Sequence, residues 1–329
     1  MDLHLSAEQE QLLEVVTAVL EKHSSPERVR AAEPLGFDRD LYDRLAGVGI
    51  PGIGVAERDG GLGGGLVELG IGAEAAGRWL APAPVVEAAV AARAVAAATG
   101  DAAGLLDGRV VTFCPRRLAG GTIRLVSHGA VADVVVAGDG DELVMVEQDP
   151  PGTAPPSLGA SALADVDTTR ATRHVVGAQQ VERVRDEWRA LAGAALVGLA
   201  ARALEIGVGY VQERHQFGVA IGSFQTVAHR LADVATDVDG ARLLCQKAAW
   251  ALETDQPEAA ALARMAFLFA GDVAQRAALT SLHFHGGYGF MLEYDIQLYA
   301  RRAKAWSLNG GPRAATVQLL ADALYGEVR

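Results

Sequence analysis

Two short segments hold the side chains best suited to chemistry. The first, HFHGGYGF at 283–290, gathers two histidines and three glycines into eight positions. A metal centre is one thing such residues build, but His283 and His285 are two apart and leave a helix in different directions. No nearby cysteine or HExxH-type partner completes a ligand set. A phosphate cradle is a second. Gly286, Gly287 and Gly289 leave backbone exposed, a helix is predicted from about Tyr294, and exposed N–H groups and helix starts attract anions. A plain turn between helices uses the same glycines, so the segment alone leaves these last two readings open.

The second segment is ERHQFGVAIGSFQTVAHRLAD at 213–233. A long helix is predicted to end near residues 217–218, with a short loop and a new helix capped by Ser223. An arginine near a helix end is commonly solvated or bound to a last-turn carbonyl. Arg214, however, has Phe217 and Gln225 close by. A guanidinium, an aromatic face and an amide suit a pyrophosphate joined to an adenosine.

The elements that must position these residues are mostly helical. Ser6 and Gln9 form a capping box before the periodic Leu12, Leu13, Val16, Val19 and Leu20. Helices follow through DRDLYDRLAGVGI, LVELGIGAEAAGRWL and residues 85–99, with the glycine-rich loop PGIGVAERDGGLGGG between the first two. After Gly108 the runs RVVTFC, TIRLVSH, ADVVVAG, ELVMVEQ and TRHVVG read as strands of an antiparallel sheet. From about 181 the chain is helical to its end. Val227, Leu231, Val234, Val238, Ala241 and Cys245 form the apolar stripe of a bundle helix.

With 329 residues, two or three modules sharing a core are expected. Hydrophobic residues at 50% and charged residues at 21% mark a soluble globular chain. The formal charge of -12 argues against nucleic acid and anionic membrane as partners, since both call for a basic face. Cys114 and Cys245 are far apart, which fits a reduced, cytoplasmic setting. The start, MDLHLSAEQEQLLEVV, has no apolar signal core. The apolar stretch 190–211 contains Arg202 and Glu205, charges that a membrane span would leave in hydrocarbon, so it reads as a buried bundle helix.

These segments also carry a resemblance. RHQFGVAIGSFQTVAHRLAD resembles the acyl-CoA dehydrogenase pattern RxxFGxxIxxFQxxxxxLA, and HFHGGYGFMLEYDIQLYARRAKAW is similar to the later QxxGGxGF…EY…RDAK block. LAGVGIPGIGVAERDGGLGGGLVELGIGAEAAGRWLAPAPV resembles the family's lead-in. The resemblance implies a mainly α fold with a small β domain. Its parts would be an N-terminal helical domain (1–107), a shortened middle antiparallel β domain (108–180) and a C-terminal four-helix bundle (181–329). It implies FAD as cofactor, with Arg214 and Phe217 holding the pyrophosphate and adenosine half of a neighbouring subunit's FAD. Ile221 and Gln225 would sit beside them. Gly286 and Gly287 match the family's glycines, and His283 replaces its glutamine with another hydrogen-bonding side chain.

Three departures qualify the resemblance. The family's catalytic glutamate commonly follows the RDAK block, where SLNGGPRAA places Asn309, and an amide cannot take a proton at neutral pH. An alternative base position on the preceding long helix falls on Trp188, with Glu187 adjacent as the candidate. Residues 108–178 contain neither the tryptophan nor the glycine-serine strand that would wrap a flavin ring. The resemblance therefore implies the degenerate, shorter subunit of an actinobacterial α2β2 heterotetramer acting on an acyl-CoA, such as a steroid side-chain thioester. A catalytic partner subunit would supply the base, and an electron-transfer flavoprotein would take the electrons. A homomeric dehydrogenase using Glu187 and a non-enzymatic scaffold of the same fold are the alternatives.

Overall fold

A computed structural model describes residues 3–118 and 120–326. Six helices come first: α1 (Ala7–His23), α2 (Pro26–Ala32), α3 (Arg39–Gly47), α4 (Leu66–Arg78), α5 (Val85–Thr99) and α6 (Ala103–Leu106). The α1 capping box forms as the sequence predicts, Gln9 N–H donating to Ser6 Oγ at 3.2 Å and Ser6 N–H to Gln9 Oε1 at 3.0 Å. Helix α2 escapes a periodicity reading because it is two turns long, although Ser25 as cap and Pro26 in the first turn mark its start.

The middle region differs from a single antiparallel sheet. Strands β1 (Val111–Cys114), β3 (Val134–Asp139), β4 (Glu142–Glu147) and β6 (Thr172–Val175) form one sheet in the order β1-β3-β4-β6. Within it β1 and β3 run parallel. The reason is topological: β2 (Thr122–Val126) leaves that sheet and pairs with β5 (Ala164–Asp167) in a second, two-stranded one, so the chain returns to β1's side in the same direction. Strand β5, with Asp165 and Asp167 on its exposed face and Ala164 and Val166 buried, lacks the β-branched density that identifies the others.

The remaining helices are α7 (Ala178–Glu213), α8 (Gln225–Glu253), α9 (Ala259–His285), α10 (Ile296–Trp306) and α11 (Arg313–Tyr325). Helix α7 is long and apolar enough to cross a membrane, yet its apolar window is mostly buried, packed among α4, α8 and α9. It stops at Glu213, four residues before the predicted end. A two-stranded hairpin follows, β7 (His215–Gln216) and β8 (Val219–Ala220), turned by Phe217 and Gly218. Their φ angles of 54° and 83° meet the two-residue requirement of a type I′ turn. Ser223 does not cap α8: its hydroxyl donates to the Ala220 carbonyl, and Phe224 occupies the cap position. Leu231, Val234, Val238, Ala241 and Cys245 of the expected stripe are buried.

Close approach of α4 and α7 joins the first helices to the bundle. A Cβ on Gly77 would lie 1.8 Å from the Ala195 carbonyl oxygen, and one on Gly198 would lie 1.8 Å from that of Glu74. Backbone cannot give way as a flexible side chain can, so only glycine fits at either place. Gly198→Ala is expected to destabilise the fold by about 3 kcal/mol or more. Gly209→Ala, on the same helix with open space around it, should be neutral or slightly stabilising. Chemical denaturation of both variants checks the contrast.

Candidate active site and cofactor surface

The segments singled out from sequence meet at one end of the bundle. Tyr210, in the last turn of α7, stacks on His285 at the end of α9, ring centroids 3.9 Å apart. One helical turn earlier, a Cβ on Gly207 would strike Ser281, whose hydroxyl donates to the Ala203 carbonyl at 2.7 Å. The α7 and α9 ends are thus locked together, bringing the hairpin and residues 283–290 to the same end. His285 is a packing residue, its Nδ1 2.7 Å from the Ser281 carbonyl.

The candidate cofactor residues there have free binding capacity. The Arg214 guanidinium makes no hydrogen bond or ion pair among the described residues, and Gln225 and His283 side chains make no hydrogen bond. All three lie on the surface. Gly286, at φ 59°, and Gly287 have open space where a Cβ would stand. Residues 286–290 form a single 3-10 turn rather than running into a helix at Tyr294, and α10 begins at Ile296. Phe217 is 92% exposed, its ring edge-on to Phe224 at 6.2 Å, while Ile221 opens the 3-10 turn leading to α8. Unpaired donors, an exposed aromatic face and accessible backbone are the chemistry that pyrophosphate and adenosine recognition requires.

A second feature lies where the three regions meet. Leu80, Ala83 and Glu87 come from the first helices, His128 and Ala160 from the β region, and Trp188, Arg302 and Asn309 from the bundle; they line a cavity of 70 Å³. Leu80, His128 and Ala160 have φ of 49°, 59° and 47°, three of the six non-glycine residues in the left-handed region among those described. Such strain concentrates at functional sites. Glu87 is 8% exposed and has no cation partner among the described residues; a side-chain hydrogen bond comes from Trp188 Nε1 at 3.5 Å. Burial pushes its carboxyl above the usual range, outweighing the bonds that favour the anion. Burial also pushes His128 down to about 4, and its Nδ1 has no partner. Arg302, though it lines the cavity, donates to Glu33 at 3.1 Å.

Comparison with known proteins decides the family. Residues 6–103 match the profile of the acyl-CoA dehydrogenase N-terminal domain, and residues 177–325 that of the C-terminal domain. Acyl-CoA dehydrogenase IpdE2 of Mycolicibacterium smegmatis is 33% identical over 332 aligned positions, 97% of this chain and 99% of that protein. The chain belongs to the acyl-CoA dehydrogenase family. Among solved structures, the ChsE4-ChsE5 complex from Mycobacterium tuberculosis superposes with a TM-score of 0.89 at 26% identity, covering all of both chains. A variant of the Tcur3481-Tcur3483 steroid acyl-CoA dehydrogenase gives 0.85 at 27% identity, covering 96% of this chain and 97% of that one. The fold class expected from sequence is therefore correct, and the chain's chemistry is that of an oxidoreductase family acting on acyl-CoA.

Within this acyl-CoA dehydrogenase frame, the candidate bases separate clearly. Asn309 and Trp188 both line the three-region cavity, and Glu187 does not. Glu187 is 4% exposed, and its carboxylate accepts from Arg93 Nε at 3.0 Å and Nη2 at 3.2 Å. Arg183 Nε lies a further 3.6 Å away. A buried carboxylate held by two guanidinium groups and absent from the cavity lining is a structural anchor. Sequence reasoning also missed Glu87 and His128. For Glu87 a signal was present, a lone carboxylate in the otherwise apolar run APAPVVEAAVAA. His128 sits in a turn whose left-handed backbone nothing in its sequence announces.

Two measurements follow. Glu187→Gln should lower stability by about 2–3 kcal/mol, since it leaves Arg93 underpaired while both arginines still reach solvent. The turnover of the assembled enzyme should not change, as steady-state kinetics would show. The raised Glu87 pKa means the unfolded chain releases that proton first, so wild type loses stability as pH rises above the ordinary carboxylate value. Trp188, His128, Asn309 and the Arg302–Glu33 pair surround the group. The difference in unfolding free energy between wild type and Glu87→Gln, measured from pH 4 to 8, should shrink with rising pH.

Proposed function

We propose that this chain is the non-catalytic subunit of a heteromeric FAD-dependent acyl-CoA dehydrogenase and completes the cofactor site of a catalytic partner. The observation that carries this reading is the contrast between its two ends. Arg214, Phe217, Gln225, His283, Gly286 and Gly287 offer unpaired donors and open backbone at the surface. The chain's own cleft measures 70 Å³, roughly half the volume of a cavity that takes up benzene and too little for a tricyclic flavin ring. Similarity to a subunit of the ChsE4-ChsE5 complex and to the Tcur3481-Tcur3483 steroid enzyme supports both the heteromer and a polycyclic acyl-CoA substrate.

FAD, when bound, supplies the hydride acceptor for α,β-dehydrogenation. Arg214 would neutralise and orient the pyrophosphate, Phe217 would cover the adenine face, and Gln225 and His283 would fix polar edges. Ile221 would line the apolar side of this end. Asn309 moves no proton, so the α-proton goes to the partner's base. An electron-transfer flavoprotein is the reoxidant that fits this role.

Co-expression with the partner tests the reading. One FAD per two chains is expected from the heteromer and none from this chain purified alone. Arg214→Ala in this chain should cut bound FAD at least tenfold, by absorbance after gel filtration, while the heteromer still assembles. One FAD per chain in a homotetramer would overturn the proposal and favour the self-sufficient alternative.

A further inference from the structure

Arg214 and the Gly286 turn belong to different helices, yet a short backbone path leads from each to one ring of a stacked pair. The Arg214 N–H donates to the Tyr210 carbonyl at 2.9 Å, and the Arg214 carbonyl accepts from the Ile221 N–H at 2.8 Å. On the other side, His285 immediately precedes Gly286 and follows His283 by two positions. The Gly286 N–H donates back to the His283 carbonyl. Gly286 itself has φ 59° and ψ -137°, a setting that glycine tolerates and other residues rarely reach. The direction in which the turn leaves α9 is therefore set at His285.

Little freedom remains in that ring. A carbonyl can only accept, so the 2.7 Å contact with Ser281 places the proton on Nδ1 and fixes the ring plane. Burial lowers the imidazole pKa, against the opposing pull of the Ser281 bond, which favours a neutral ring. One face lies on Tyr210, with 22° between the planes, and the Tyr294 ring stands edge-on at 6.0 Å. An aliphatic side chain of similar bulk would fill the space without defining a plane.

We propose that His285 is a positioning residue for the cofactor, its stack on Tyr210 setting the separation of Arg214 from the Gly286–Gly287 backbone. One pyrophosphate can then engage the guanidinium and the turn together, with neither half reordered on binding. The inference rests on the proposal that this end of the chain holds a partner's FAD, and it names what keeps the two halves of that surface in register.

Release of FAD from the intact heteromer, followed by flavin fluorescence, is the test. His285→Leu should release FAD about fivefold faster, whereas His285→Phe, which keeps a stacking ring, should stay within about twofold of wild type. Tyr210→Leu should match His285→Leu, and the double variant should be no faster than either, because both remove the same contact. Val238→Ala, a core truncation in the middle of α8, controls for lost stability: it should lower the denaturation midpoint and leave release unchanged. Wild-type release in His285→Leu, additive effects in the double variant, or release in Val238→Ala as fast as in His285→Leu would overturn the proposal. Arg214→Ala separates the two levels. Fast release there with wild-type release in His285→Leu overturns this inference alone, and wild-type release in both overturns the cofactor reading with it.

Discussion

The α4–α7 crossing is the contact on which the other spacings depend. At Gly77 and Gly198 each helix presses its backbone against a carbonyl of the other, closer than any side chain would permit. Helix α4 is then tied outward by polar contacts. Arg78 forms a bidentate pair with Glu205 of α7, both bonds 2.7 Å, and Glu74 accepts from Arg242 of α8 at 2.8 Å. Tyr299 of α10 donates to the Arg78 carbonyl at 2.9 Å. The N-terminal helices and the bundle thus share one contact surface, and the cleft forms where residues of the strand region meet it. A methyl group at the crossing would push α4 and α7 apart beside the cleft that Ala76, Gly77, Ala192 and Ala195 help to line.

Charge buried on α7 serves a related purpose. Arg185, Asp186, Glu187 and Arg189 are each less than 5% exposed, an unusual run for the middle of a bundle. Asp186 accepts from Arg189 and from Arg264 of α9, Arg185 reaches the Gly138 carbonyl at 2.8 Å, and Glu187 holds Arg93 of α5. Such pairs contribute little net stability, because desolvation offsets the attraction. Each is directional, however, and together they fix the rotation of α7 against the β region, α5 and α9. Trp188, in the middle of this run, is turned into the cleft with its indole N–H toward Glu87.

Helices were the legible part of the sequence, together with the family pattern of the segments that meet at one end of the bundle. Capping at Ser6, the 85–99 helix and the α8 stripe follow from local periodicity, and local rules transfer well to helices. The matches around Arg214 and Gly286 were legible because their order along the chain repeats a family pattern. Errors arose where long-range contacts choose the structure. Parallel pairing of β1 with β3 depends on β2 joining another sheet, and no feature of either strand says so. The hairpin at 215–220 was hidden because Phe217 adopts a backbone conformation that large side chains seldom take. Glu187 became a candidate through its place beside the expected base position, whereas its pairing with Arg93, 94 positions away, has no local signal.

The hairpin carries one more implication, for the life of the newly made chain. Phe217 stands almost wholly in water at the tip of a strained turn, close to Phe224, while Phe290 and Leu292 of the neighbouring loop are also largely uncovered. None of the described residues shields these side chains, so a solitary copy would present an adhesive apolar end of the kind that chaperones and proteases act on. Abundance in the cell would then be set by how promptly that end is covered, which favours synthesis matched in time and amount to whatever covers it.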